Sequence, residues 1–132
     1  MANTQAVATS FKSELMLGLH QFGTVTLVSR TSLTSPTTDT FKAALYLVSA
    51  TYNAATTAYS ATGEVSGTGY TATGAAFTWV APATSGTTAF TTPSAAIAWT
   101  TVTLATAFDA VLLYNVTQTN RAVAVYTFGS QT

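Results

Sequence analysis

The chain has 132 residues, 48% hydrophobic and only 6% charged, with a formal net charge of zero and no cysteine. Disulfides, thiolate metal sites and cysteine catalysis are excluded. The four basic residues Lys12, Arg30, Lys42 and Arg121 are too scattered for the clustered cationic footprint that nucleic acid requires.

The length suits one domain spanning 1–132. Thr and Ala together make up roughly two fifths of the residues, so hydroxyls rather than charges solvate the surface. A neutral surface repels its neighbours weakly, which favours association over a free monomer. The first residues lack a basic region followed by an apolar run, so no signal peptide is expected. No run of about eighteen apolar residues predicts a membrane span.

Residues 5–22 carry the only helical period, with Val7, Phe11, Leu15 and Leu19 recurring at i+4. The spacing predicts a helix, started by Asn3 or Thr4 and stopped near Gly23, with Gly18 inside it. This helix either packs on a sheet or docks on a partner. Residues 24–29 alternate as a strand, 31–40 read as a polar loop, and Phe41–Ala50 as a second strand. The glycine-rich stretch 51–76 reads as a loop with short, bulged strands. Its Gly67-Thr68-Gly69 lacks the GxGxxG and βαβ context of a phosphate loop. Residues 77–80 predict a short strand, 82–93 a loop, and 95–106 a strand or strand pair.

Phe108–Gly129 predicts a β-hairpin. Two apolar runs, Ala110–Val116 and Ala122–Phe128, flank the polar turn Thr117-Gln118-Thr119-Asn120. Both faces of both strands are apolar, which predicts central strands covered on each side. The expected fold is all-β: an antiparallel sandwich or partly open barrel of about seven strands, with one N-terminal helix.

Candidate chemistry is sparse. The single histidine, His20, is expected at the helix end, favoured there by the dipole and without a nearby acid. Glu14, Asp39, Glu64 and Asp109 show no spacing suited to a triad or a glycosidase pair, and no GxSxG is present. No catalytic, cofactor or metal-binding residue is expected. Glu64, in a neutral stretch, reads as an acceptor for loop N–H groups or as half of an ion pair between subunits. The aromatics Tyr52, Tyr59, Tyr70, Trp79, Phe90 and Trp99 serve either the core or, if exposed, a sugar-stacking or subunit contact.

Five stretches together resemble a family of small structural proteins of tailed-bacteriophage particles: Ser10–His20 (SFKSELMLGLH), Asp39–Tyr46 (DTFKAALY), Thr56–Tyr70 (ending EVSGTGY), Ala98–Thr103 and Leu113–Gly129 (with NRAVAV). Members of that family often continue into further β-structure after the FGS, whereas this sequence ends at Thr132, which leaves closure of the last sheet edge open. The resemblance implies a virion protein made in the bacterial host cytoplasm, without catalytic activity and needing neither nucleic acid nor membrane. Its implied role is a capsid decoration (cement) protein on the major capsid protein or another virion protein. The alternative is a tail, baseplate or fibre component with glycan-binding loops. Low charge and two-sided apolar strands predict a homo-oligomer, a trimer first. The helix and the loops 51–76 and 82–94 are the expected docking parts, with Phe11, Leu15, Tyr59, Glu64, Tyr70 and Phe90 as candidate docking residues.

Overall fold

The computed structural model describes residues 3–16, 18–23 and 38–131. The predicted strand 24–29 and most of the predicted loop 31–40 lie outside them. The described elements are β1 (Ala6–Val7), α1 (Thr9–Met16), β2 (Phe41–Leu47), β3 (Gly67–Thr68), β4 (Ala75–Phe77), β5 (Ala83–Ser85), β6 (Thr88–Phe90), β7 (Thr103–Leu104), β8 (Phe108–Asn115) and β9 (Arg121–Gln131). A five-stranded antiparallel sheet in the order β1-β9-β8-β2-β4 forms the centre, and β3-β7 and β5-β6 are separate pairs. The fold is therefore all-β with one N-terminal helix, sandwich-like, as the alternation predicts.

The hairpin β8–β9 carries the core. Ala110, Leu112 and Ala122 are fully buried and Val125 nearly so. Its turn is tight: the Gln118 N–H donates to the Asn115 side chain at 3.1 Å, and Thr119 and Asn120 both adopt φ of 58°. Asn tolerates that conformation through its short polar side chain, whereas β-branched Thr is strained there.

The helix is shorter than its period predicts. Ala6 and Val7 pair with Val125 and Ala124 instead of entering it. Gly18 ends the helix rather than sitting inside it. Its φ is 69°, its N–H donates to the Leu15 carbonyl, and the Leu19 N–H donates to the Glu14 carbonyl. That double bond is a Schellman cap, whose left-handed position glycine fills without steric cost. Nor do Asn3 and Thr4 cap the helix. Asn3 accepts from the Tyr52 N–H and donates to the Leu47 carbonyl and Asp109.

The 77–106 region also departs from expectation. Strand β4 starts two residues early, and Trp79 only bridges Pro93. The predicted loop 82–93 contains the β5–β6 hairpin, turning at Gly86 with φ of 57°. Of the predicted strand 95–106, only Thr103–Leu104 pairs. Its Ala-rich first half offers too little side chain to hold a pleated register.

Candidate functional site

Successive residues of a strand face opposite sides, so the sheet has two distinct surfaces. One bears Ala44, Tyr46, Ala110, Leu112, Tyr114 and Val125, all buried. Residues 50–65 close it with a layer of phenols. Tyr52 packs on Tyr46 at 3.8 Å between ring centroids, and Tyr59 stacks on Tyr114 at 4.8 Å. Three of the sequence-predicted docking residues, all half-buried, lie here. The Glu64 carboxylate accepts from the Tyr59 hydroxyl at 2.6 Å and the Tyr70 hydroxyl at 2.7 Å. Tyr70 also takes the Leu45 N–H at 3.1 Å, on the edge of β2 beyond β4. Glu64 is thus an acceptor, as one of its two readings has it, but its donors are phenols rather than loop amides. Burial, reinforced by the bonds to Glu64, pushes the Tyr59 and Tyr70 hydroxyls well above the usual phenol range.

A second polar cluster pins the helix. His20 lies past the helix end, fully buried in its side chain and edge-on to Phe11. It is not without an acid: its Nε2 is 2.7 Å from Glu14 Oε2. Arg121 donates to the other Glu14 oxygen. The Asn115 amide nitrogen lies 3.0 Å from His20 Nδ1 and 2.6 Å from Asp39 Oδ2. An amide donating to Nδ1 leaves Nε2 as the protonated ring nitrogen that donates to Glu14. This cluster ties the helix, residue 39 and the β8–β9 turn together.

The other sheet surface is differently finished. Residues 78–104 bury Ala43, Leu45, Leu113 and Ala124 along its middle but leave Val111 half-buried and Tyr126 exposed. Three neighbouring grooves run along it. One of about 420 Å³ is lined by Trp79, Ile97, Trp99, Val111 and Tyr126. A second, about 430 Å³, lies between Leu45, Leu104, Phe108 and Phe128. The third, about 550 Å³, passes under β6 between Val7, Leu15, Phe22, Phe90 and Tyr126, with Phe11 in its lining. This groove unites the other three predicted docking residues. Phe11 is buried, whereas Leu15 and Phe90 stand 48% and 47% exposed on its rim.

From Val65 to Phe108 the chain has no Asp, Glu, Lys, Arg or His, so the cover of this surface carries no charge. The indole N–H groups of Trp79 and Trp99 are shielded from solvent and meet no acceptor among the described residues. Every residue of β5 and β6 is exposed, and the hairpin pairs only with itself. Val7 and Tyr126, on the groove rim at 47% and 49% exposure, escape sequence reasoning. Alternation in an apolar strand cannot tell a covered face from a bare one. Among the described residues no helix is long and apolar enough to cross a membrane, and no group of His, Asp and Glu is placed to hold a metal ion.

Comparison with protein families, with curated proteins and with solved structures finds no match for this chain.

Proposed function

We propose that the protein is a non-enzymatic structural component of a tailed-bacteriophage particle, a decoration protein that docks on the major capsid protein through the grooved, uncharged surface. The observation that carries this reading is the contrast between the two sheet faces. One is packed under the chain's own tyrosines; the other, buried along its middle, carries an uncharged groove rimmed by exposed Val7, Leu15, Phe90 and Tyr126. Apolar area of that kind contributes about 25 cal/mol per Å² when a partner covers it. One subunit spanning two capsid subunits, repeated over a lattice, turns small contacts into resistance to rupture. The buried indole N–H groups of Trp79 and Trp99 fit a cover that settles against a partner. The test is copy number in purified particles. A decoration protein approaches the capsid protein in stoichiometry on a stained gel; scarcity or absence would end this reading.

A second reading is a tail or fibre component that binds host glycan. It is favoured by the groove that Trp79, Trp99 and Tyr126 flank, since aromatic faces stack on sugar rings. A few to tens of copies per particle, with glycan-array binding lost in Trp99→Ala, would put it ahead.

A further inference from the structure

Strand β1 pairs with β9 at only two positions, Ala6↔Val125 and Val7↔Ala124. The chain before it leaves that edge, because the Thr4 N–H bonds the Tyr52 carbonyl and the Asn3 side chain reaches Leu47 and Asp109. From Tyr126 to Gln131 the outer edge of β9 therefore has no partner strand among the described residues. Its inner side is thinly paired as well. Ala110↔Thr127 and Phe108↔Gln131 enclose a bulge in which Phe128, Gly129 and Ser130 have no register partner on β8.

A free strand edge is a row of unpaired donors and acceptors, which proteins blunt with charge, proline, shortness or bulges. The opposite edge of this sheet, β4, is only three residues long. The part of β9 without a described partner is longer, and although it carries the bulge it has neither a charged residue nor a proline from Ala122 to Gln131. Tyr126 and Phe128 stand 49% and 40% exposed on it. Gly129 has an ordinary φ, and an added Cβ would meet only the Gln131 amide at 3.9 Å. Nothing among the described residues requires glycine there, and a glycine leaves room for close approach of another backbone.

We propose that this edge pairs antiparallel with the same edge of a second copy about a two-fold axis, joining two five-stranded sheets edge to edge. A two-fold contact sets a strand against its own reversed image, so a charged strand repels itself and a neutral one does not. Across such a seam Tyr126 and Phe128 of both copies lie near one another, extending the grooved surface of one copy into that of the next. The pairing makes a dimer, where the sequence reading expects a trimer first, and it does not depend on the role in a particle.

The experiment is sedimentation of the full chain from low micromolar to several hundred micromolar, with hydrogen exchange read at the Tyr126–Gln131 amides. The expected result is a mass of twice the 13.6 kDa chain, with those amides protected in the dimer and freely exchanging on dilution. Ser130→Lys, at an exposed position, and the pair Phe128→Lys with Ser130→Lys are expected to weaken association by about 100-fold or more, leaving the far-ultraviolet dichroism unchanged. The proposal is overturned by a monomer at every concentration, which would give the bulge the protective role. It is equally overturned by an oligomer that the lysines leave intact, or by one whose Tyr126–Gln131 amides exchange freely.

Discussion

Asn115 shows how much one side chain does when it is fully buried. Its amide nitrogen serves His20 and Asp39, and its oxygen takes the Gln118 N–H that starts the β8–β9 turn. Asn115→Leu keeps the branching but strands the His20 Nδ1 and the Gln118 N–H, and leaves Asp39 only its bonds from the Gln21 N–H and the Gln118 amide. It should cost about 2–3 kcal/mol, read as a lower urea midpoint at unchanged slope. Gly74 is a second such position. With φ of 76° and an added Cβ falling 1.9 Å from the Ala43 carbonyl oxygen, it admits no side chain where the chain turns into β4. Gly74→Ala should cost more than about 2 kcal/mol and loosen β4 from β2, visible as faster exchange of the β4 amides. His20 lies on the same scale. Its lone occurrence suggests a helix-end residue, and only tertiary structure brings Glu14 and Asn115 to its two nitrogens.

Among elements, the tyrosine layer over the buried sheet face sets the response to alkali. Burial raises the hydroxyls of Tyr46, Tyr52, Tyr59, Tyr70 and Tyr114 above the ordinary phenol range. The unfolded chain releases these protons from about pH 10 while the folded chain holds them. Unfolding is therefore coupled to proton release, and stability is lost as pH rises past that point and is untouched below it. A spectroscopic titration should show phenolate appearing in one steep step that coincides with loss of far-ultraviolet dichroism; separate, gradual ionisation without unfolding would contradict it. The β5–β6 hairpin predicts the opposite kind of result. All its residues are exposed, so replacing 83–90 by a short glycine linker should shift the melting midpoint by less than about 3 °C. On the proposed docking reading, the same replacement should abolish attachment to particles. The long apolar runs of β2, β8 and β9 were legible because alternation and turn chemistry agree there. The helix was legible in kind but not in length, since Val7 suits a helical stripe and a strand equally and only the presence of β9 decides. The stretch 77–106 was the least legible: its Thr and Ala residues favour neither period, and pairing partners set its form. Of the six candidate docking residues, Phe11, Leu15 and Phe90 meet at one groove. Tyr59, Glu64 and Tyr70 satisfy one another, an association that needs a fold to bring donors and acceptor together.

At the scale of the whole molecule, the charged residues lie outside the stretch that covers the grooved surface. If that surface docks, its affinity for particles should change less than about twofold between dilute buffer and 0.5 M salt, because there is no ion pair to screen. A charge placed in the groove, as in Phe90→Lys, should weaken it at least about tenfold without lowering the melting midpoint, since Phe90 is half exposed.

The order β1-β9-β8-β2-β4 places the first described strand beside the last. On a ribosome, Ala6 and Val7 wait for Ala124 and Val125, which emerge more than a hundred residues later. The helix that follows β1 has just eight residues, too few to persist alone in water. The segment around β1 therefore cannot complete its pairing until β9 appears, and the sheet closes late, through contacts between distant parts of the sequence. Refolding in the millisecond-to-second range, rather than microseconds, is the kinetic consequence. A chain stalled before residue 121 lacks the strand against which its own beginning folds.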